Sequence, residues 1–123
     1  MKRMIFGTLV ACIALNFAPP ASFAAPGFDG TWSVLVVTEN GTCDRAYRYA
    51  VRIAGGQVKP AGDEAVSMSG AVAGNGAIKV NVGRGEQKAS GSGRLAGKAG
   101  TGKWTGHGNT GTCSGTWSAE RRS

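Results

Sequence analysis

Apolar side chains follow two different patterns along this chain. Over residues 4–18 they run almost unbroken, with only Gly7, Thr8, Cys12 and Asn16 between them. The run follows a basic Met1-Lys2-Arg3 and stops at Pro19-Pro20, and it is too short to span a bilayer. Ser22-Phe23-Ala24 then sets small residues at the two positions that a signal peptidase reads. Residues 1–24 are therefore expected to be a cleaved secretory signal peptide, with residues 25–123 forming one domain.

Beyond that segment apolar and polar residues alternate with a period of two over short stretches, and Gly pairs or Asn-Gly punctuate them. No stretch shows the 3.6-residue period of an amphipathic helix, so the pattern predicts an antiparallel meander. Residues 31–39 and 42–53 flank Asn40-Gly41, which suits a two-residue type I′ hairpin turn. Pairing Glu39 with Thr42 would put Val34 opposite Tyr47 and Trp32 opposite Tyr49, on a face expected to be the core. The other face of the second strand carries Asp44, Arg48 and Arg52 among alanines, as a solvated side should.

Gly55-Gly56 turns the chain into Gln57-Val58-Lys59, and Pro60 ends that strand or confines it to an edge. Val66, Met68 and Val72 mark a further strand; Gly74-Asn75-Gly76 then turns into Ile78-Lys79-Val80-Asn81-Val82, the cleanest alternation in the chain. From Lys88 onward large apolar residues are scarce, yet 89–95, 100–105 and 112–121 keep strand-like spacing with Gly or Ser at many positions. Glycine weakens a strand unless a backbone or a bulky ring lies over it. Trp104 and Trp117 supply such rings and are expected to pack on the glycines. Gly30-Thr31-Trp32-Ser33 returns as Gly115-Thr116-Trp117-Ser118, a likeness between strands with no longer repeat around it.

The expectation is about eight short strands. Cysteine usage bears on how they close. Cys12 falls in the signal segment, so the mature chain keeps Cys43 and Cys113, an even pair that an oxidising compartment would join. Closing a loop of roughly 70 residues stabilises by about 4 kcal/mol in the chain-entropy model. In an even meander both cysteines lie at the same end of the sheet, but in an open sheet about six strand spacings would separate them. A bond between them needs Cα atoms within about 7 Å. The sheet should therefore close as an up-and-down barrel, or alternatively fold over as a β-sandwich. Leu9-Val10-Ala11-Cys12 also fits a lipobox, in which Cys12 would be lipidated; against this, Cys12 stands close behind Arg3 and the apolar run continues past it.

Losing Lys2 and Arg3 with the signal segment lowers the net charge from +7 to +5. A basic chain favours anionic partners, though net charge speaks first to solubility and non-specific binding. Arg48, Arg52 and Lys59 are the candidates for one exposed basic face, which would meet anionic polysaccharide, lipopolysaccharide or another exported protein.

Catalytic and cofactor motifs are imitated rather than present. Gly97-Lys98-Ala99-Gly100-Thr101-Gly102-Lys103-Trp104 approaches a phosphate-binding loop, but Trp104 stands where a hydroxyl must reach magnesium. Gly91-Ser92-Gly93-Arg94-Leu95-Ala96 approaches a dinucleotide fingerprint without a βαβ unit around it. His107, the single histidine, is expected in a turn between the last two strands, with no second ligand at metal-binding spacing. Asp63-Glu64 point to opposite sides of an extended chain and make a poor acid/base pair. The sequence thus predicts no enzyme, no cofactor and no metal.

Phe28-Asp29-Gly30-Thr31-Trp32 resembles the Gly-x-Trp opening of avidin-like and lipocalin-like barrels, and the start of the small periplasmic inhibitors of bacterial metalloproteases, which also carry one disulfide. The chain as a whole resembles small exported proteins of Gram-negative bacteria, which implies a periplasmic or extracellular location. No ligand-contacting residue of these families maps onto this sequence. Three expectations stand together. The first is a non-catalytic binding or structural protein that meets anionic envelope material. The second is a small-ligand barrel, whose interior would be lined by the aromatic candidates Trp32, Tyr47, Tyr49, Trp104 and Trp117. The third is a secreted protease inhibitor.

Overall fold

Alternating side chains give each strand one inward and one outward face, and the meander arranges these faces around a common axis. A computed structural model describes residues 26–62, 66–109 and 111–123. After a single 3-10 turn (Pro26–Phe28), the described residues form β1 (Gly30–Asn40), β2 (Ala46–Ala54), β3 (Gln57–Pro60), β4 (Ser67–Val72), β5 (Ala77–Arg84), β6 (Gln87–Ala96), β7 (Ala99–Gly108) and β8 (Gly111–Arg121). Every neighbouring pair is antiparallel, and β8 pairs back onto β1 to close a barrel. The sandwich alternative is set aside, since one ring of pairings runs from β1 to β8 and back to β1, its thinnest joint being the Gln57–Ala71 pair between β3 and β4. The signal-peptide and lipobox readings, and the Asp63-Glu64 pair, lie outside the described residues.

The barrel has a packed floor and a looser upper half. Trp32, Ile53, Val58, Val72, Ile78 and Leu95 meet near the lower end and are all buried, Trp32 to 1% exposure. Below them the Trp32 indole Nε1 donates to the Phe28 carbonyl (2.9 Å), which ties the 3-10 turn under the floor. Arg121 Nη1 donates to the Gly27 carbonyl (2.8 Å), and the Asp29 carboxylate accepts from the backbone N–H groups of Gly55 (3.0 Å) and Gly56 (3.3 Å). That carboxylate satisfies two donors of the tight β2–β3 turn.

At the upper end Cys43 and Cys113 form a disulfide with Cα atoms 6.1 Å apart, joining the β1–β2 link to β8. The first hairpin differs from its sequence reading. Trp32 pairs with Val51, Val34 with Tyr49 and Val36 with Tyr47, a register two residues from the expected one. Asn40 does not take the positive φ that a type I′ turn demands, because glycines alone do so among the described residues. Instead the link spans residues 41–45, with Gly41 at φ 100° against the disulfide, where a Cβ would come within 2.8 Å of the Cys113 Sγ. The cross-link and the close approach of Gly41 mark this corner. A shift of two preserves which side chains face inward, so the expected face survives. His107 also departs from expectation: it stands on β7, paired with Lys88 and Thr112, rather than in a turn.

Candidate functional site

Above the floor the barrel is hollow. A cavity of about 1150 Å³ opens at the end that carries the disulfide, and Val34, Val36, Tyr47, Tyr49, Met68, Val80, Val82 and Trp117 line it. These side chains point inward yet are only half-buried, because none of the described residues reaches across to cover them. An eight-stranded barrel is just wide enough to be filled by side chains or to hold one small molecule.

The sequence cause of the opening lies in β6–β8. Registers and alternation place Gly91, Gly93, Gly100, Gly102, Gly106 and Gly115 on the inner face, so much of one wall has no side chain. Trp117 lies flat along that wall. A Cβ at Gly102 would sit 2.5 Å from its Cε2, and one at Gly93 would sit 2.6 Å from its Cζ2. Its indole Nε1 donates to the Ser92 carbonyl across the barrel wall (3.2 Å). Trp104 Nε1 likewise donates to the Val37 carbonyl (3.0 Å). With Trp32 bound to Phe28, all three indole N–H groups are spent on backbone carbonyls, so the indoles present carbon to the lumen.

Polar chemistry gathers at the mouth. Arg84, the last inward position of β5, stands there with Glu86, Gln87, Asp44 and His107 on the rim. Tyr47 and Tyr49 follow one another on the inner face of β2, their rings stacked with centroids 6.1 Å apart. The Tyr47 hydroxyl accepts from the Asp44 backbone N–H (3.2 Å), so the ring stands with its polar tip at the rim and its apolar body below.

The structure thus brings Trp32, Tyr47, Tyr49, Trp104 and Trp117 to one lumen, Trp32 as its floor and the others on its walls. Arg48, Arg52 and Lys59 are on the outside, with Arg52 directly opposite Lys59 and Arg48 donating to the Ser33 hydroxyl (3.1 Å). Sequence reasoning missed the inward direction of Arg84; continuing the alternation of Ile78, Val80 and Val82 by one step would have found it. Among the described residues no group of three or more His, Cys, Asp or Glu side chains gathers as a metal site. Comparison with protein-family models, curated proteins and solved structures returned no match for this chain.

Proposed function

We propose that this protein binds a small, largely apolar molecule in its barrel lumen. The observation that carries the reading is the inward, half-buried apolar and aromatic surface around a cavity of about 1150 Å³, in which the indole donors are already satisfied. Such a wall rewards apolar area removed from water and offers few hydrogen bonds deep inside. Polar groups sit at the rim, so the preferred ligand has an apolar body and one polar end directed to the mouth.

The setting we infer is an exported one. The disulfide fits an oxidising compartment, and among the described residues no helix is long and apolar enough to cross a membrane. On β5, β6 and β7 the outward positions carry Ser, Thr and Lys, the reverse of the lipid-facing wall of a barrel that spans a membrane.

A titration with N-phenyl-1-naphthylamine, a neutral apolar fluorophore, tests the reading. The probe should brighten at a stoichiometry of one per chain and quench the fluorescence of Trp117. Val80→Trp, which adds an indole on the lumen face of β5 between its pair partners Gly70 and Gly91, should abolish binding while far-ultraviolet circular dichroism shows the barrel still folded. An unaltered affinity in that variant, or no binding to the native protein, would refute lumen binding.

A further inference from the structure

The charges of this barrel are sorted by position. Among the described residues the acids Asp29, Glu39, Asp44, Glu86 and Glu120 lie in links or near strand ends. Cations stand along the outer wall, Lys79 and Lys103 inside their strands and Lys88 and Arg94 nearer the strand ends. On β5, β6 and β7 the outward positions carry Lys79, Lys88, Arg94 and Lys103 and no acid at all, and these four are exposed. Among the described residues an ion pair at the far end joins Glu120 to Arg122 (3.4 Å), away from this wall.

Register places these groups around a furrow. Lys79 pairs with Ser92, and Ser92 with Lys103, so two ammonium groups flank one serine from strands about 10 Å apart. One step along, Asn81 pairs with Ser90 and Ser90 with Thr105. The small side chains of β6 therefore leave a shallow channel of about 300 Å³ between longer ones, lined by Lys79, Asn81, Ser90, Ser92, Lys103 and Thr105. The inner positions of β6 and β7 are largely glycine, so these strands carry most of their side-chain chemistry on this outer face. The Ser92 carbonyl is fixed from within by Trp117 Nε1, which holds the furrow in place.

We propose that the outer face of β5–β6–β7 docks an acidic polysaccharide along this furrow. The cations are spread across three strands instead of converging on a point, which suits a chain of repeated charges better than one small anion. Hydroxyl and amide groups between them match the hydroxyls of a sugar chain. Trp104, buried and turned to the lumen, meets this furrow only at its base, and the other aromatic side chains of residues 27–123 belong to the lumen or its floor, so the face lacks the exposed stacking platforms on which single-stranded nucleic acids rely. It also lacks the apolar anchors of a membrane-surface site.

The probe is polygalacturonate, titrated into the purified protein at low and at physiological salt. Binding should be saturable and should weaken steeply as salt is added. K79E/K103E should lose about tenfold or more in affinity, with K79Q/K103Q intermediate, since fixed charges at the contact dominate such encounters. R52E/K59E makes the same charge change on the β2–β3 wall and should stay close to the native affinity. The melting temperature of each variant establishes that its fold persists. An equal loss in both charge-reversed variants would mean net charge rather than a site, and would overturn the proposal. So would absent binding, or single-stranded DNA or anionic phospholipid vesicles binding as tightly as the polysaccharide.

Discussion

Trp117 owes its position to the residues that are missing around it. Gly93 and Gly102 present bare backbone, and the ring fills the space that their side chains would need. Gly102→Ala should therefore displace the ring or the strand and destabilise by about 1–3 kcal/mol, the usual cost of overpacking. Gly91→Ala is the contrasting change: its Cβ would stand 3.5 Å from Trp117 Nε1, an ordinary contact. It should be neutral, or stabilising by up to about 1 kcal/mol through the unfolded chain. Urea denaturation of the two variants separates them, and equal effects would contradict this account of the glycine wall. Asp29 makes a second residue-scale case, because its carboxylate serves the N–H groups of both Gly55 and Gly56. Asp29→Ala should cost about 1–2 kcal/mol and speed amide hydrogen exchange at those two glycines.

At the scale of elements, the first hairpin shows what alternation can and cannot tell. Trp32, Val34 and Val36 face the same way in any register that differs by an even number of residues, so the inward face was legible in the sequence. The partner of each residue was not. Asn40-Gly41 reads as a two-residue turn from local preference alone, and the competing constraint is a disulfide to a residue 70 positions away. Gly41→Val tests which constraint rules the corner. A β-branched residue at φ 100° is strained and would press on Cys113. A loss of at least about 1 kcal/mol is expected, together with easier reduction of the Cys43–Cys113 bond, measured by the rate of dithiothreitol cleavage. In β6 and β7 glycine erases the apolar half of the alternation, yet Ser90, Ser92 and Arg94 preserve the polar half. The strands were therefore legible, while the hollow that glycine creates between them was not, because emptiness depends on what stands across the lumen.

For the whole molecule, closure and stability rest on the same few features. The floor around Trp32 is the packed core, and the upper half gives up burial to remain open. A small domain with so limited a core leans on its covalent link. Reducing the disulfide, or replacing both cysteines with serine, should lower stability by about 2–5 kcal/mol. The loss should appear first at the mouth, since the bond fastens the 41–45 link to β8. Thiol titration of the unreduced, denatured protein should find no free thiol at Cys43 or Cys113.

The hollow lumen as a binding site is the central claim, and its most direct measurement is where a bound apolar molecule lies. In nuclear Overhauser spectra of the protein saturated with N-phenyl-1-naphthylamine, the aromatic protons of the probe should contact the Met68 methyl, the Val34 and Val80 methyls and the Trp117 ring, all of which line the cavity. Contacts to Leu35 and Val37, which alternation places on the outside of β1, in the absence of any to Met68 or Trp117, would contradict it.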